Sequence, residues 1–547
     1  MASSEAFPEH GVDPLAPIEE AVGWIASTTV HVLLGLVIGM IAARTLRRRQ
    51  LRWSWAACGL VFLTPARGLF GDWASTVLVA AAATTFWSRS WHRRDIETGH
   101  DLAAIARSLR GPLDALRSAG ERASLRRRAS VGGEAWFRGG ELIVGRDRTG
   151  RLVTVPFGDS SGGTHTLVVG ATGSGKTVTQ TWMAVRAIER GQGAVVVDPK
   201  GDRGMREELR RAAQEAGRAF IEWTPTGPSL YNPYARGSET EIADKVLAGE
   251  RFTEPHYLRQ AQRYLGHVVR ALRRAGREVS LQEIVEHLDV SRLECLTRTL
   301  SESDAQGTHA YLDTLTTRQQ ADLSGIRDRL AILAESDVGV WLDPRAGDAG
   351  GRSPDLVPFD LLDAIRSRAV VYFDLQADSR PLLTQMIGAA IVQDLLTTVT
   401  ALQRHPVATL VVIDEFSAIA AEHVVRVFGR ARSAGVSLVL GTQELSDLRP
   451  PGRERLLEQV MGNLSALIAH RQVVPESAEM IAELAGRRGT WRTSRHSDGR
   501  STRTRTSEAA LEPGEVMSLE RGWAAVIVLS DGCRTTITRL FSVQQYR

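Results

Sequence analysis

Lysine is nearly missing from this chain of 547 residues. All but three of its 67 basic residues are arginine, the exceptions being Lys176, Lys200 and Lys245. So strong a bias points to a GC-rich genome, and it makes each retained lysine informative. Cysteine is as scarce. Cys58, Cys295 and Cys533 stand far apart with no CxxC pair, which argues against a cysteine zinc site or a disulfide framework and fits a soluble portion in a reducing, cytoplasmic setting. Excess charge is missing too. A formal net charge of +4 excludes a globally basic coat for nucleic acid, so any polyanion contact has to come from local patches. Ahead of the first apolar run stand Glu5, Glu9, Asp13, Glu19 and Glu20, with no Lys or Arg. A signal peptide needs a positive leading region, so that run is not one.

What the chain does have is length and apolar content. Hydrophobic residues make up 43% and charged residues 24%, enough for an ordinary core in a membrane segment plus two or three soluble domains. Residues 22–43 carry no formal charge. As a helix they reach about 33 Å, sufficient to cross the hydrocarbon layer. Arg44, Arg47, Arg48, Arg49 and Arg52 follow at once, which places that end in the cytoplasm. Two shorter apolar stretches, 53–67 and 72–88, precede a second cluster at Arg89, Arg93 and Arg94. With both clusters on one side, the chain crosses three times. The competing reading has two spans, with the short stretch after Trp53 lying in the interface. The expected location is the bacterial inner (plasma) membrane, multi-pass, with the soluble part in the cytoplasm.

Beyond the 1–94 anchor, residues 95–140 read as an Arg-rich amphipathic linker helix, with Ile105, Leu109, Leu113 and Leu116 at helical spacing. Residues 141–157 alternate around 147–150, as a β-hairpin does. Strand patterns at 165–169 and 194–197 then flank a Gly-rich loop and a helix. Residues 237–345 turn helical, and strand patterns return at 369–375, 410–413, 436–440, 523–529 and 535–543. The fold class is α/β: a nucleotide-binding domain in two parts, 141–236 and 346–547, interrupted by an all-α insertion.

Gly170, Ala171, Thr172, Gly173, Ser174, Gly175, Lys176 and Thr177 fit GxxxxGK[ST] between an apolar strand and a helix. Its glycines let backbone N–H groups close on phosphate oxygens, helped by the positive end of the helix. Lys176 is expected to reach the β- and γ-phosphates of ATP, and Thr177 to ligate Mg²⁺. The apolar run 410–413 ends in Asp414 and Glu415. Asp414 suits a Mg²⁺ site, held through water, and Glu415 suits the general base that polarises the attacking water. Gln443, after the strand at 436–440, is placed to sense the γ-phosphate. Arg430 and Arg432 lie between these motifs in a helical pattern; Arg432 is the candidate to complete a neighbouring subunit's site, and a surface salt bridge is the alternative. Asp198-Pro-Lys-Gly-Asp202 sits at the same crevice edge with no role that its chemistry alone assigns.

The set GATGSGKT, VVVDPKGD, VVIDEF and GVSLVLGTQ, in that order behind N-terminal membrane helices, resembles the type IV secretion coupling proteins of the TraD/TraG kind. These are conjugative DNA-transfer ATPases related to septal DNA translocases and RecA-like motors. The resemblance covers roughly residues 140–545. It implies a RecA-like P-loop domain, a homo-hexameric ring on the cytoplasmic face, and DNA, most readily single-stranded, in a central channel. It implies that the helical insertion meets the relaxase or relaxosome and that other inner-membrane components of the secretion system are partners. Lys176, Thr177, Asp414, Glu415, Arg432 and Gln443 take the family's ATPase roles by motif match. Two features depart from the pattern: three spans where two are usual, and the stretch 487–505, rich in Ser, Thr and Arg, which has no clear counterpart. Such a stretch suits either sequence-independent phosphate contact or a solvated loop. Two other functions share the same motor: a double-stranded DNA translocase, disfavoured by a C-terminal region that reads as strands, and a protein-secretion ATPase without DNA.

Overall fold

The computed structural model describes residues 16–48, 54–55, 73–97, 120 and 133–546, except 251, 253, 344, 346–356, 420, 450–454, 496–500 and 531. The second apolar stretch at 53–67, apart from Ser54 and Trp55, and most of the linker helix at 95–140 therefore lie outside the described residues. The chain forms two units, one holding residues 1–124 and the other the remainder apart from 148–151.

In the first unit, helix α1 (Ala16–Arg48) carries the uncharged run and α2 (Ala74–Glu97) the third apolar stretch. Within α1, residues Trp24–Leu46 are long and apolar enough to cross a membrane. Val30, Leu33, Val37, Ile38 and Ile41 are exposed along it. α1 meets α2 through glycine. A Cβ at Gly35 would stand 2.8 Å from the carbonyl oxygen of Thr76, and one at Gly39 2.7 Å from that of Ala80. Small residues four apart let two helix backbones come this close. Thr84 Oγ1 donates to the Gly39 carbonyl at 3.2 Å, and the His31 and Trp73 rings stand edge to face at 5.3 Å. The partners advance together, 31 with 73, 35 with 76 and 39 with 84, so the two helices run parallel.

The second unit is built on one twelve-stranded sheet. Its members are β1 (Phe137–Arg138), β2 (Glu141–Asp147), β3 (Leu152–Pro156), β4 (His165–Val169), β5 (Gly193–Asp198) and β6 (Phe220–Trp223). Two short strands, β7 (Leu230–Tyr231) and β8 (Pro358–Phe359), pair apart from it. Then come β9 (Val370–Asp374), β10 (Thr409–Ile413), β11 (Val436–Thr442) and β12 (Ala466–Ala469). The hairpin β13 (Arg487–Arg495) and β14 (Ser501–Ala509) also stands apart, and β15 (Trp523–Val528) and β16 (Arg534–Leu540) rejoin the sheet. The order is β1-β2-β16-β15-β12-β4-β11-β10-β5-β9-β6, with β3 on β2. From β12 to β6 all neighbours are parallel, whereas β15, β16, β2, β1 and β3 pair antiparallel. The sheet is thus mixed, parallel from β12 to β6 and antiparallel at its other end.

Alternation explains why the central strands read as unbroken apolar runs. Leu167, Val169, Val195, Val197, Val411 and Ile413 belong to the core on one face, and Val168, Val196, Val412 and Val439 to the core on the other. Successive side chains point to opposite faces, and both faces are covered. The helix Pro381–Leu402 is apolar enough for a membrane but mostly buried, so it is a core helix of this unit. Among the described residues, helices alone connect β7 to β8, from α5 (Glu239–Leu247, numbered after α3 Lys176–Glu189 and α4 Arg203–Glu215) to the helix Thr317–Ala334.

Candidate functional site

Parallel strands deliver their C-terminal ends to one edge of a sheet, and the loops there line the crevice. β4 ends in the loop 170–177, β10 in Asp414, β11 in Thr442, β5 in Asp198 and β9 in Asp374. Hydrogen-bond register aligns these ends: Ile413 pairs with Val197, and Thr442 with Val169. One edge therefore gathers residues spread over almost three hundred positions.

The loop is built as an anion cradle. Gly173 and Gly175 have φ of 76° and 117°, a left-handed backbone that favours glycine. α3 begins at Lys176, so its free N–H groups and dipole face the loop. Lys176 Nζ donates to the Gly170 carbonyl at 2.5 Å and lies 3.7 Å from Glu415 Oε1. Burial pulls the Lys176 ammonium below the ordinary lysine value, against the opposing pull of Glu415 and Asp414. The Ser174 hydroxyl is buried with no hydrogen-bond partner among the described residues. Glycine backbone, a desolvated ammonium and an orphaned hydroxyl fit a phosphate chain.

Asp414 is buried, and burial raises its carboxyl above the usual range, with Gln180 opposing. Gln180 Nε2 donates to Asp414 Oδ1 at 3.0 Å. Gln180 stands three residues after Thr177 in α3, hence on the same helix face, so the contact holds Asp414 on the Thr177 side. Gly441 keeps room for this pair, since a Cβ there would meet both Asp414 and Gln180 at 2.2 Å. A carboxylate and a hydroxyl so arranged suit a hard divalent cation such as Mg²⁺. Glu415 follows with φ 43°, a conformation a side chain rarely adopts. Thr172 Oγ1 donates to Gln443 Oε1 at 3.3 Å, which brings Gln443 to the loop as its sequence position suggested.

The structure accounts for the motif Asp198–Asp202 residue by residue. Asp198 accepts from the Lys200 N–H at 2.9 Å, the Asp202 N–H at 2.6 Å and the Tyr372 hydroxyl at 2.5 Å. Gly201 has φ 72° and packs so close that a Cβ would stand 2.5 Å from Asp374 Oδ1. Asp202 caps α4 by accepting from the Met205 N–H at 2.8 Å. Lys200 Nζ reaches Glu415 Oε1 at 2.7 Å. Burial would lower the Lys200 value, but Glu415, Asp414 and Asp198 raise it overall.

Sequence reasoning missed His470, just past β12. Its Nε2 lies 3.0 Å from Thr179 Oγ1 on α3. Burial, reinforced by Lys176, lowers its pKa to about 4, so a neutral ring underlies the loop.

Arg432 is not brought to the loop of its own chain. It starts a 3₁₀ turn after the helix Ala421–Ala431, rather than lying within the α-helix as expected. Its carbonyl accepts from the Gly163 N–H, and its charge helps hold His165 down to about 4, after burial. Those partners precede or open β4, so Arg432 belongs to the opposite edge of the sheet and is exposed. Arg430 is engaged with Thr400 Oγ1 at 2.6 Å. Of the stretch 487–505, residues 487–495 and 501–505 are strand rather than the solvated loop that was one of its two readings: β13 and β14 pair over nine rungs, from Arg487 with Ala509 to Arg495 with Ser501.

Residues 408–521 match a family described as the TraM recognition site of TraD and TraG, and residues 150–208 match the type IV secretion-system coupling protein DNA-binding domain. The two matches contain the acidic strand tip and the phosphate loop respectively. Over 101 residues the chain is 32% identical to an uncharacterized protein of Mycoplasma pneumoniae, covering 18% of this chain and 67% of that protein. The fold is similar to the unbound bacterial conjugative coupling protein TrwBdeltaN70 (TM-score 0.56, 16% identity, 77% of this chain and 91% of that one). It is also similar to the plasmid coupling protein TrwB in complex with ADP and Mg²⁺ (TM-score 0.52, 17% identity, 69% and 85%). Both family matches thus fall on the elements that build the crevice, so the chain carries two segments characteristic of type IV secretion coupling proteins on a fold similar to that of the solved coupling proteins.

Proposed function

We propose that this protein is a membrane-anchored motor that hydrolyses ATP with Mg²⁺ to drive DNA, with or without attached protein, through a conjugative type IV secretion channel. The observation that carries the reading is the meeting of phosphate loop and acidic strand tip, with Lys176 Nζ 3.7 Å from Glu415. Thr177 and Asp414 would hold the Mg²⁺, which supplies neutralising charge to the phosphates. Lys176 binds the phosphate chain and Gln443 reads its far end. Glu415 takes a proton from the water that attacks the γ-phosphorus as the bond to the ADP oxygen breaks. Coupling proteins seen with ADP and Mg²⁺ support these ligands.

Parallel packing of α1 and α2 supports three crossings. A chain that leaves one helix and enters a parallel neighbour has to return the length of both, and 53–67 is the apolar stretch between them. The family descriptions support DNA and a relaxosome protein as partners. A homo-hexameric ring would put Arg432, on the far sheet edge, within reach of a neighbour's nucleotide. Mixing Arg432→Ala with Lys176→Ala subunits tests this. Equal mixing should restore activity at about one interface in four, where an intact loop meets an intact arginine. Unrestored hydrolysis in assembled rings ends the finger assignment.

The cargo is tested by turnover of the full chain in lipid with single- and double-stranded DNA across salt. We expect stronger stimulation by single strands. Arg487 on β13 and Arg505 on β14 are exposed, and each change to Gln should flatten the salt slope by about 0.7. Stimulation by duplex alone would favour a double-stranded DNA translocase, and none by either would favour protein export.

A further inference from the structure

Hydrolysis as just described gives Lys200 no task, although it is one of three lysines in an arginine-rich chain and touches the base directly. We propose that Lys200 is a positioning residue for Glu415: it anchors one carboxylate oxygen of the base and keeps that carboxylate off Lys176. The inference rests on Glu415 being the general base.

Geometry makes Lys200 a fixed arm. Its backbone N–H is held by Asp198, whose carboxylate is also bonded to Asp202 and Tyr372. The turn is tied to β9 as well, since Leu375 N–H donates to the Asp198 carbonyl and Ala377 N–H to the Pro199 carbonyl at 2.7 Å. From this turn the ammonium crosses one strand spacing, β5 to β10, to reach Glu415 Oε1 at 2.7 Å. A compact point charge suits a single acceptor better than a planar guanidinium fork does, which explains a lysine where this chain otherwise writes arginine.

Glu415 needs such an anchor. Its left-handed backbone, φ 43°, is sparsely populated and persists only where surrounding contacts over-determine it. Among the described residues the other cation within 4 Å is Lys176, at 3.7 Å from the same oxygen. Without Lys200, the carboxylate would close on Lys176. One new ion pair would then withdraw the ammonium from the phosphate cradle and occupy the base.

The test is a double-mutant cycle in the full chain: Lys200→Met, Glu415→Gln and the pair together. The readouts are kcat for ATP and Kd for a non-hydrolysable ATP analogue. Lys200→Met should lower kcat roughly 10–100-fold and weaken the analogue roughly 3–10-fold. In the Glu415→Gln background, the same change should leave kcat as it was and restore analogue binding, because no carboxylate remains to capture Lys176. A purely structural lysine would show no such rescue. The proposal is overturned if Lys200→Met matches or exceeds wild-type turnover, or if its binding loss persists in the double variant. Should Glu415→Gln alone retain full turnover, the base assignment fails, while the binding rescue still decides whether Lys200 restrains this carboxylate.

Discussion

Lys176→Ala is expected to lower ATP turnover by on the order of 10³-fold while leaving the melting temperature unchanged or slightly higher. The two halves of that result have one cause. Burial holds the ammonium below its ordinary value, so the cation stands where solvation is poor, and its removal relieves a desolvation cost. Deleting one member of a buried pair usually destabilises because its partner is left alone. Here Glu415 keeps Lys200 at 2.7 Å, closer than Lys176 at 3.7 Å, so no anion is stranded. What disappears is the charge meant for the phosphates. Steady-state hydrolysis and thermal melts of the same preparation check both halves. Retained turnover would overturn the site, and a melt several degrees lower would make Lys176 a structural residue.

The loop and the acidic strand tip were legible because each is a contiguous string whose chemistry depends on local spacing. A strand, a glycine turn and a helix start suffice to place Lys176 and Thr177, and the four buried apolar residues Leu410–Ile413 suffice to bring Asp414 to an edge. Contacts across the sheet were not legible. Gln180 meets Asp414 from 234 positions away and Lys200 meets Glu415 from 215. Both depend on the order of β4, β11, β10 and β5, which no local pattern encodes. The role of Asp198 was hidden because its partners include Tyr372 on β9. The strands β13 and β14 escaped notice for a different reason. Their sequence, rich in Ser, Thr and Arg, shows no apolar alternation to mark a strand. Arg432 was placed in the right segment, but its distance from its own loop becomes visible only once the sheet has two edges.

Lys245→Met should destabilise the folded chain by about 3–5 kcal/mol, the usual cost of stranding a buried charge. Lys245 is 1% exposed, on α5. Its three ammonium protons have three acceptors: the Pro233 carbonyl at 2.9 Å, the Arg236 carbonyl at 2.6 Å and Asp394 Oδ1 at 2.6 Å. Asp394 also accepts from the buried Tyr231 hydroxyl at 2.7 Å. The cluster joins α5 to the core helix Pro381–Leu402, across 149 positions. Burial raises the Asp394 carboxyl, and Lys245 is the chief influence pulling it back. Removing that cation lets the carboxyl rise further. A raised folded value means that the native state binds more protons than the unfolded chain, so the stability lost should grow as pH rises from about 4 toward neutrality. Equilibrium unfolding of the full chain in detergent at several pH values measures this directly. Lys245→Met/Asp394→Asn should cost less than the sum of the single changes by about 0.5–3 kcal/mol, because the neutral amide no longer needs a counterion. Strict additivity, or a deficit that does not change with pH, would mean that Lys245 holds its helix by packing and carbonyl bonds alone.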